Sequence, residues 1–155
     1  MSALPAPVAL VPHKGDAVLL DEIRSIGEHR LEAGLVVRPG TAFSDDAGCL
    51  PGWVGPEIMA QAIAALSGHR SLAASGRPAA IGLLLGVRSY ETSVPAFHPG
   101  DALAVEVIES SEDEEGRAVF DCRIRRAGQV LACGTLTVFQ PPDNSFIERE
   151  CMRHE

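Results

Sequence analysis

Two rhythms of apolar and polar positions run along this chain, and each predicts a different element. From Ala17 to Ile26 and from Leu31 to Arg38, β-branched and aliphatic residues come in short runs on either side of Gly27 and Glu28, the signal of two strands joined by a turn. Pro39, Gly40, Asp45, Asp46, Gly48, Pro51 and Gly52 then interrupt any regular period and predict a long loop. A helix is expected next. Gly55 stands at the cap position, Pro56 suits the first helical position, where an N–H has no partner anyway, and an Ala-rich run continues to about Ala74. From Ile58 to Leu66 this helix has almost no polar face, as expected of a helix wrapped by other elements.

Beyond the helix the strand rhythm returns. Runs at Ala80 to Thr92, Ala102 to Ser110, Ala118 to Arg126 and Val130 to Gln140, with turn residues at Pro99-Gly100-Asp101, Glu115-Gly116 and Ala127-Gly128, predict an antiparallel meander. In the third run Ala118, Phe120, Cys122 and Ile124 alternate with Val119, Asp121 and Arg123, so one sheet face is dry and the other wet. The last run alternates weakly and is expected to be buried on both faces. Two strands, a buried helix and four more strands imply an α+β fold, one antiparallel sheet curled around a central helix. Such a unit leaves edge strands and a helix flank open, which pairing of two units would cover. Residues 1–155 are expected to form one domain, its core at about 11–140, with a loose N-terminal arm and a charged C-terminal tail after Pro141 and Pro142.

Composition narrows the possible functions. Apolar residues make up 46% of the chain and charged ones 22%, the balance of a folded soluble domain and not of a disordered one. A net charge of -8 opposes a general affinity for nucleic acid, and the basic cluster Arg123, Arg125 and Arg126 divides between two sheet faces. The cysteines at 49, 122, 133 and 151 form no Cys-x-x-Cys pair, which fits a reducing, cytoplasmic setting. The apolar start through Leu10 carries Pro5 and Pro7, lacks a basic leader and is too short to span a bilayer, so no membrane is expected. The histidines at 13, 29, 69, 98 and 154 lack metal-ligand spacing, and neither a Gly-x-Gly-x-x-Gly turn nor a phosphate-loop Lys occurs, so no metal or cofactor is expected.

Four segments are informative together: Val11-Pro12-His13-Lys14-Gly15-Asp16 leading into Leu19-Leu20-Asp21; Leu50-Pro51-Gly52 running to Glu57-Ile58-Met59-Ala60-Gln61; Ile81-Gly82-Leu83-Leu84-Leu85-Gly86-Val87; and Pro99-Gly100-Asp101. In this order and spacing the chain resembles the hotdog-fold 3-hydroxyacyl-acyl-carrier-protein dehydratases of fatty acid biosynthesis. Pro51-Gly52-Trp53-Val54-Gly55 brings it nearest to the variant dehydratases of aryl-polyene and related polyketide-type pathways. The resemblance implies a hotdog fold, a dimer, and a 3-hydroxyacyl group on the phosphopantetheine arm of an acyl carrier protein as substrate. The product would be a trans-2-enoyl thioester.

Removing water from such a thioester takes a base for the C2 proton, an acid for the departing hydroxyl and a donor for the thioester oxygen. By resemblance, Glu57 in the first helical turn fills the acid's place and Gly86 that of the backbone N–H donor. Glu57 also favours the helix macrodipole, by ~0.3–1 kcal/mol, whatever its function. Gln61, one turn on and on the same side, can orient the carboxylate. The resembled family's base, a His, falls where this chain has Phe43, followed by Ser44, Asp45 and Asp46. Asp45 or Asp46 could replace it only if buried, which an exposed Gly- and Asp-rich loop opposes. His13 holds a position read as structural in that family, and stands with Gln61, Trp53 and Phe43 among the candidates for binding or orienting substrate. His98 is expected to be solvated and His69 to complement the helix C-terminus.

In the resembled dimers each site takes its base from one subunit and its acid from the other. A chain with Glu57 but without the His is therefore expected to pair with a His-bearing dehydratase, a homodimer being the other arrangement. Two further functions stay open. A non-catalytic acyl-binding partner subunit fits the lost base but not a carboxylate facing an apolar tunnel, where desolvation is costly. A hotdog thioesterase would use the carboxylate to activate water. An acidic carrier protein meeting this acidic chain needs a local basic rim, for which Arg70, Arg77 and Arg88 are the candidates.

Overall fold

The computed structural model describes residues 4–77 and 82–140. Strands β1 (Glu22–Ile26) and β2 (Arg30–Val36) come first, then the two-residue β3 (Leu50–Pro51), a 3₁₀ turn over Gly52–Val54 and helix α1 (Gly55–Ser75). After the helix follow β4 (Leu83–Thr92), the two-residue β5 (Ala96–Phe97), β6 (Ala102–Glu112), β7 (Arg117–Arg126) and β8 (Gln129–Phe139). Six strands make one antiparallel sheet in the order β1-β2-β6-β7-β8-β4, and β3 pairs with β5. The sheet curls around α1 in the hotdog arrangement that the sequence suggests.

The core lies between the helix and the inner sheet face. In β7, Ala118, Phe120, Cys122 and Ile124 are buried while the residues between them are not, as the alternation predicts. Opposite them α1 buries Ile58, Met59, Ala62, Ile63, Ala65 and Leu66. Complete burial of Ile58, Met59 or Leu66 stabilises by about 1.5–3 kcal/mol each. The helix is swallowed only as far as Gly68; its last turn is exposed and ends at Gly76, whose left-handed φ of 69° lets its N–H reach the Leu72 carbonyl. Between β7 and β8 the two-residue turn has positive φ at both Ala127 (51°) and Gly128 (80°), the geometry that matches the twist of a tight hairpin.

The structure departs from the sequence pattern at several points. Gly55 is the first helical residue, and Val54 occupies the cap without a side-chain bond. Residues 15–17 wind into a 3₁₀ turn, so β1 begins at Glu22 and not at Ala17. Only β6, β7 and β8 form a meander: β4 lies on the far side of β8, while β2 takes the flank of β6 and aligns buried Leu31, Ala33 and Leu35 with Val107, Val105 and Leu103. In β8 one face is buried and the other half-buried, because Thr135 turns outward to donate a hydrogen bond to Asp121. The start of the third motif at Ile81, the first residues of the strand expected from Ala80, and the C-terminal tail all lie outside the described residues.

Candidate active site

Two anchors lay the segment from Leu10 to Leu19 along α1. At Gly68 the helix has no side chain, and a Cβ there would lie 2.1 Å from the Leu10 carbonyl oxygen, so only glycine admits this approach. At the other end the Gln61 side chain is 0% exposed, and it is satisfied on both sides. Leu19 N–H donates to its Oε1 at 2.9 Å, and its Nε2 donates to the Ala17 carbonyl at 2.7 Å. The same Nε2 also donates to Glu57 Oε1 at 3.1 Å.

Between the anchors, His13 faces the first turn of α1. Its Nε2 lies 3.1 Å from Glu57 Oε1, so imidazole and amide converge on one carboxyl oxygen. His13 Nδ1 is buried and has no hydrogen-bond partner among the described residues. His13 and Glu57 form part of the wall of a cavity of about 240 Å³, closed elsewhere by Val11, by Ala60 and Ala64 of α1, by Leu84 of β4 and by Val138 of β8. Small alanines on the helix leave the room, and the lining, apolar except for His13, Glu57, Ser67 and Gln140, suits a mainly apolar chain carrying a polar group.

The structure brings together His13, Glu57 and Gln61 and places the other sequence candidates elsewhere. Gly86 lies on β4 opposite Thr137, just past a register irregularity, and is not part of the cavity wall. Trp53 is 72% exposed in the 3₁₀ turn. Phe43 is partly buried against the core. In the same loop Asp45 Oδ1 accepts the N–H groups of Ala47 and Cys49, so that carboxylate is occupied with its own turn. His98 is exposed, with Nδ1 3.4 Å from Cys49 Sγ. Arg70 is committed to Glu109 and to the Glu28 carbonyl, which leaves Arg77 and Arg88 as the exposed members of the expected rim.

Sequence reasoning does not find the His13–Glu57 contact, since no spacing rule links a loop residue to a helix residue so far along the chain. Nor does it find Tyr90, whose hydroxyl donates to the Gly52 carbonyl at 2.5 Å and ties β4 to the head of α1. Burial pushes the Tyr90 phenol above its ordinary range. The ring passes so close that a Cβ at Gly55 would lie 1.9 Å from the hydroxyl oxygen. No helix among the described residues is long and apolar enough to cross a membrane.

The family model described as ApeP-like, ApeP dehydratase, matches residues 5–148. A chain of the dehydratase heterocomplex ApeI:P from Xenorhabdus doucetiae is 30% identical, covers 94% of this chain and 97% of that one, and superposes with a TM-score of 0.86. Two more distant structures share the fold alone. AziG of S. sahachiroi is 17% identical with a TM-score of 0.58, over 77% of this chain and 90% of that one. PaaI from the E. coli phenylacetic acid degradation operon is 12% identical with a TM-score of 0.59, over 79% and 80%. No curated protein matches the chain.

Proposed function

Because the chain belongs to the ApeP-like dehydratase family, we propose that it is a subunit of a 3-hydroxyacyl-acyl-carrier-protein dehydratase. It contributes the acid, Glu57, to a site whose base comes from a partner subunit. The observation that carries this reading is Glu57 in the first turn of α1, held by Gln61 and facing an apolar cavity. A partly exposed carboxyl group at the wall of a mostly apolar cavity is placed to reach a bound molecule, and a site that needs a proton donor gives it a use.

In the proposed reaction the partner's base takes the C2 proton, and that bonding pair becomes the C2–C3 double bond. The C3–O bond breaks, Glu57 gives its proton to the departing oxygen, and water leaves. A backbone N–H at Gly86 would polarise the thioester oxygen as negative charge develops there. Phe43, packed where the resembled family places its His, is the reason for assigning the base to a second, His-bearing dehydratase.

The open edge of the sheet supports such an assembly. Leu84, Leu85 and Val87 of β4 are each more than 40% exposed on an edge strand that pairs with β8 on one side only among the described residues, and Tyr90 of that strand links it to the turn bearing exposed Trp53. The solved heterocomplex is the precedent for a different dehydratase as the occupant of that edge. Arg77 and Arg88 would meet the acidic carrier protein. Free thiols at Cys49, Cys122 and Cys133 fit a reducing, cytoplasmic compartment.

The test is dehydration of a 3-hydroxyacyl carrier protein by the purified chain, alone and with a co-encoded His-bearing dehydratase, followed by the ultraviolet absorbance of the enoyl thioester. The mixture is expected to be active and Glu57→Gln to lower its rate about 10²-fold or more. Full activity of the Glu57→Gln mixture would overturn the acid role and favour the non-catalytic acyl-binding subunit, for which Phe43 speaks. Release of free thiol would identify a thioesterase.

A further inference from the structure

The acid role proposed for Glu57 needs its proton on one defined oxygen, aimed at the substrate, and three observations fix which oxygen that is. First, the Gln61 amide cannot reverse: its carbonyl is taken by the Leu19 N–H and its NH₂ by the Ala17 carbonyl, so what it offers Glu57 Oε1 is a donor. Second, His13 Nε2 approaches the same Oε1 at 3.1 Å. Third, His13 Nδ1 is buried without a partner among the described residues, so a hydrogen there would be stranded. The hydrogen of a neutral ring therefore belongs on Nε2, the nitrogen that faces Oε1.

An oxygen that accepts the Gln61 N–H and faces His13 Nε2 at 3.1 Å is not the one that carries the acid's hydrogen. From this geometry we infer that His13 is a positioning residue: with Gln61 it fixes Glu57 Oε1 as an acceptor and confines the transferable proton to Oε2. The inference rests on Glu57 being the acid. In the reaction the proton moves from Oε2 to the hydroxyl oxygen as the C3–O bond breaks, and the carboxylate left behind keeps the Gln61 N–H donor and the facing His13 ring, which favour an anion over a neutral acid. His13 retains its hydrogen throughout. Without it the carboxyl group hangs on Gln61 alone and turns about its terminal torsion, so the proton meets the substrate in only a fraction of encounters.

His13 is suited to this task because the segment that bears it is pinned on both sides, at Gly68 through Leu10 and at Gln61 through Ala17 and Leu19. The experiment uses the dehydratase mixture described above, with His13→Gln and His13→Leu made in this chain. A Gln side chain places an amide N–H at the reach of Nε2 and is expected to keep kcat within about threefold. Leu offers no donor and is expected to lower kcat about 10- to 100-fold with KM within about twofold. Equal losses in the two variants would indicate packing and overturn the inference, as would full activity of His13→Leu beside an inactive Glu57→Gln, which leaves the acid role intact. Activity of Glu57→Gln would remove the acid role itself. A second measurement needs no turnover. In ¹⁵N NMR of the free chain, at a pH where the His13 ring signals are those of the neutral form, the hydrogen is expected on Nε2 and the signals are expected to shift in Glu57→Gln. Hydrogen on Nδ1 would overturn the inference.

Discussion

Replacing Gln61 by leucine removes one buried amide on which both the fold and the site depend. The two side chains are similar in size, so the change deletes hydrogen bonds without opening a large void. Leu19 is buried and its N–H loses the acceptor it has, a penalty of about 1–3 kcal/mol. The Ala17 carbonyl is only partly buried and recovers water, so the bond lost there costs about 0.5–1.5 kcal/mol. Leucine returns part of this, because no amide has to be desolvated. A net loss of about 2–3 kcal/mol follows, and at about 2–4 °C per kcal/mol for a chain of this length Tm falls by roughly 4–12 °C. Thermal unfolding followed by far-ultraviolet circular dichroism, at one fixed protein concentration, measures it. A fall of less than about 1 °C would mean that Ala17 and Leu19 find other partners, and the clamp would be refuted. Gln61→Glu is the complementary change: it keeps an acceptor for Leu19 but, when ionised, turns an anionic oxygen toward Ala17 O and Glu57, so its destabilisation should grow as pH rises.

Gly68→Ala drives a Cβ against the Leu10 carbonyl and is expected to cost about 1–3 kcal/mol or more, lowering Tm and loosening the segment that carries His13; an unchanged Tm would show that this segment does not rest on the helix. Burial alone would raise the Glu109 carboxyl, but hydrogen bonds from Arg70 and His29 outweigh it and hold the group below its ordinary value of 4.5; Glu106 is held low chiefly by its bond to Arg30. The unfolded chain binds protons at these sites first as pH falls, so their contribution is complete above about pH 4.5 and is lost as pH drops through the lower folded values. Glu106→Gln should flatten the acid limb of a stability–pH curve measured by urea unfolding, and an unchanged limb would contradict the pairing. Burial, with a smaller part from Asp121, pushes the Cys122 thiol up to about 12, so iodoacetamide at neutral pH should leave Cys122 unmodified in the folded protein and label it after unfolding, as peptide mass mapping reads out.

What the sequence makes legible is whatever local periodicity encodes. Ala118, Phe120, Cys122 and Ile124 reveal the dry face of β7 because a strand alternates, and the run from Ile58 to Leu66 reveals a swallowed helix because a polar face is missing. The position of β4 is not legible, since its neighbour is chosen by long-range pairing and β2 competes for the flank of β6. The pairs β3 and β5 are too short for any period to show. Within the site, Glu57 and Gln61 are readable as a pair because one helical turn separates them. His13 is readable only as a motif member, since its contact with Glu57 depends on how Gly68 and Gln61 seat the loop, and neither residue announces that role.

The strand that walls the cavity is also the strand that ends the sheet. Leu84 closes one side of the cavity, and together with Leu85 and Val87 it presents apolar surface at the outer edge of β4. A partner subunit that added a strand there would cover these side chains beside the same cavity, so that assembly and completion of the proposed site would be one event. On the proposed reading, a base supplied by the partner subunit would let the family's chemistry proceed at this chain's cavity. Phe43, at the position where the resemblance expects a His, packs against the core, while His13 and Glu57 line the cavity and the buried Gln61 bonds to Glu57 behind them. The proposed acid role gives Glu57, partly exposed at the cavity wall and held by Gln61, a task that a purely scaffolding subunit would not supply.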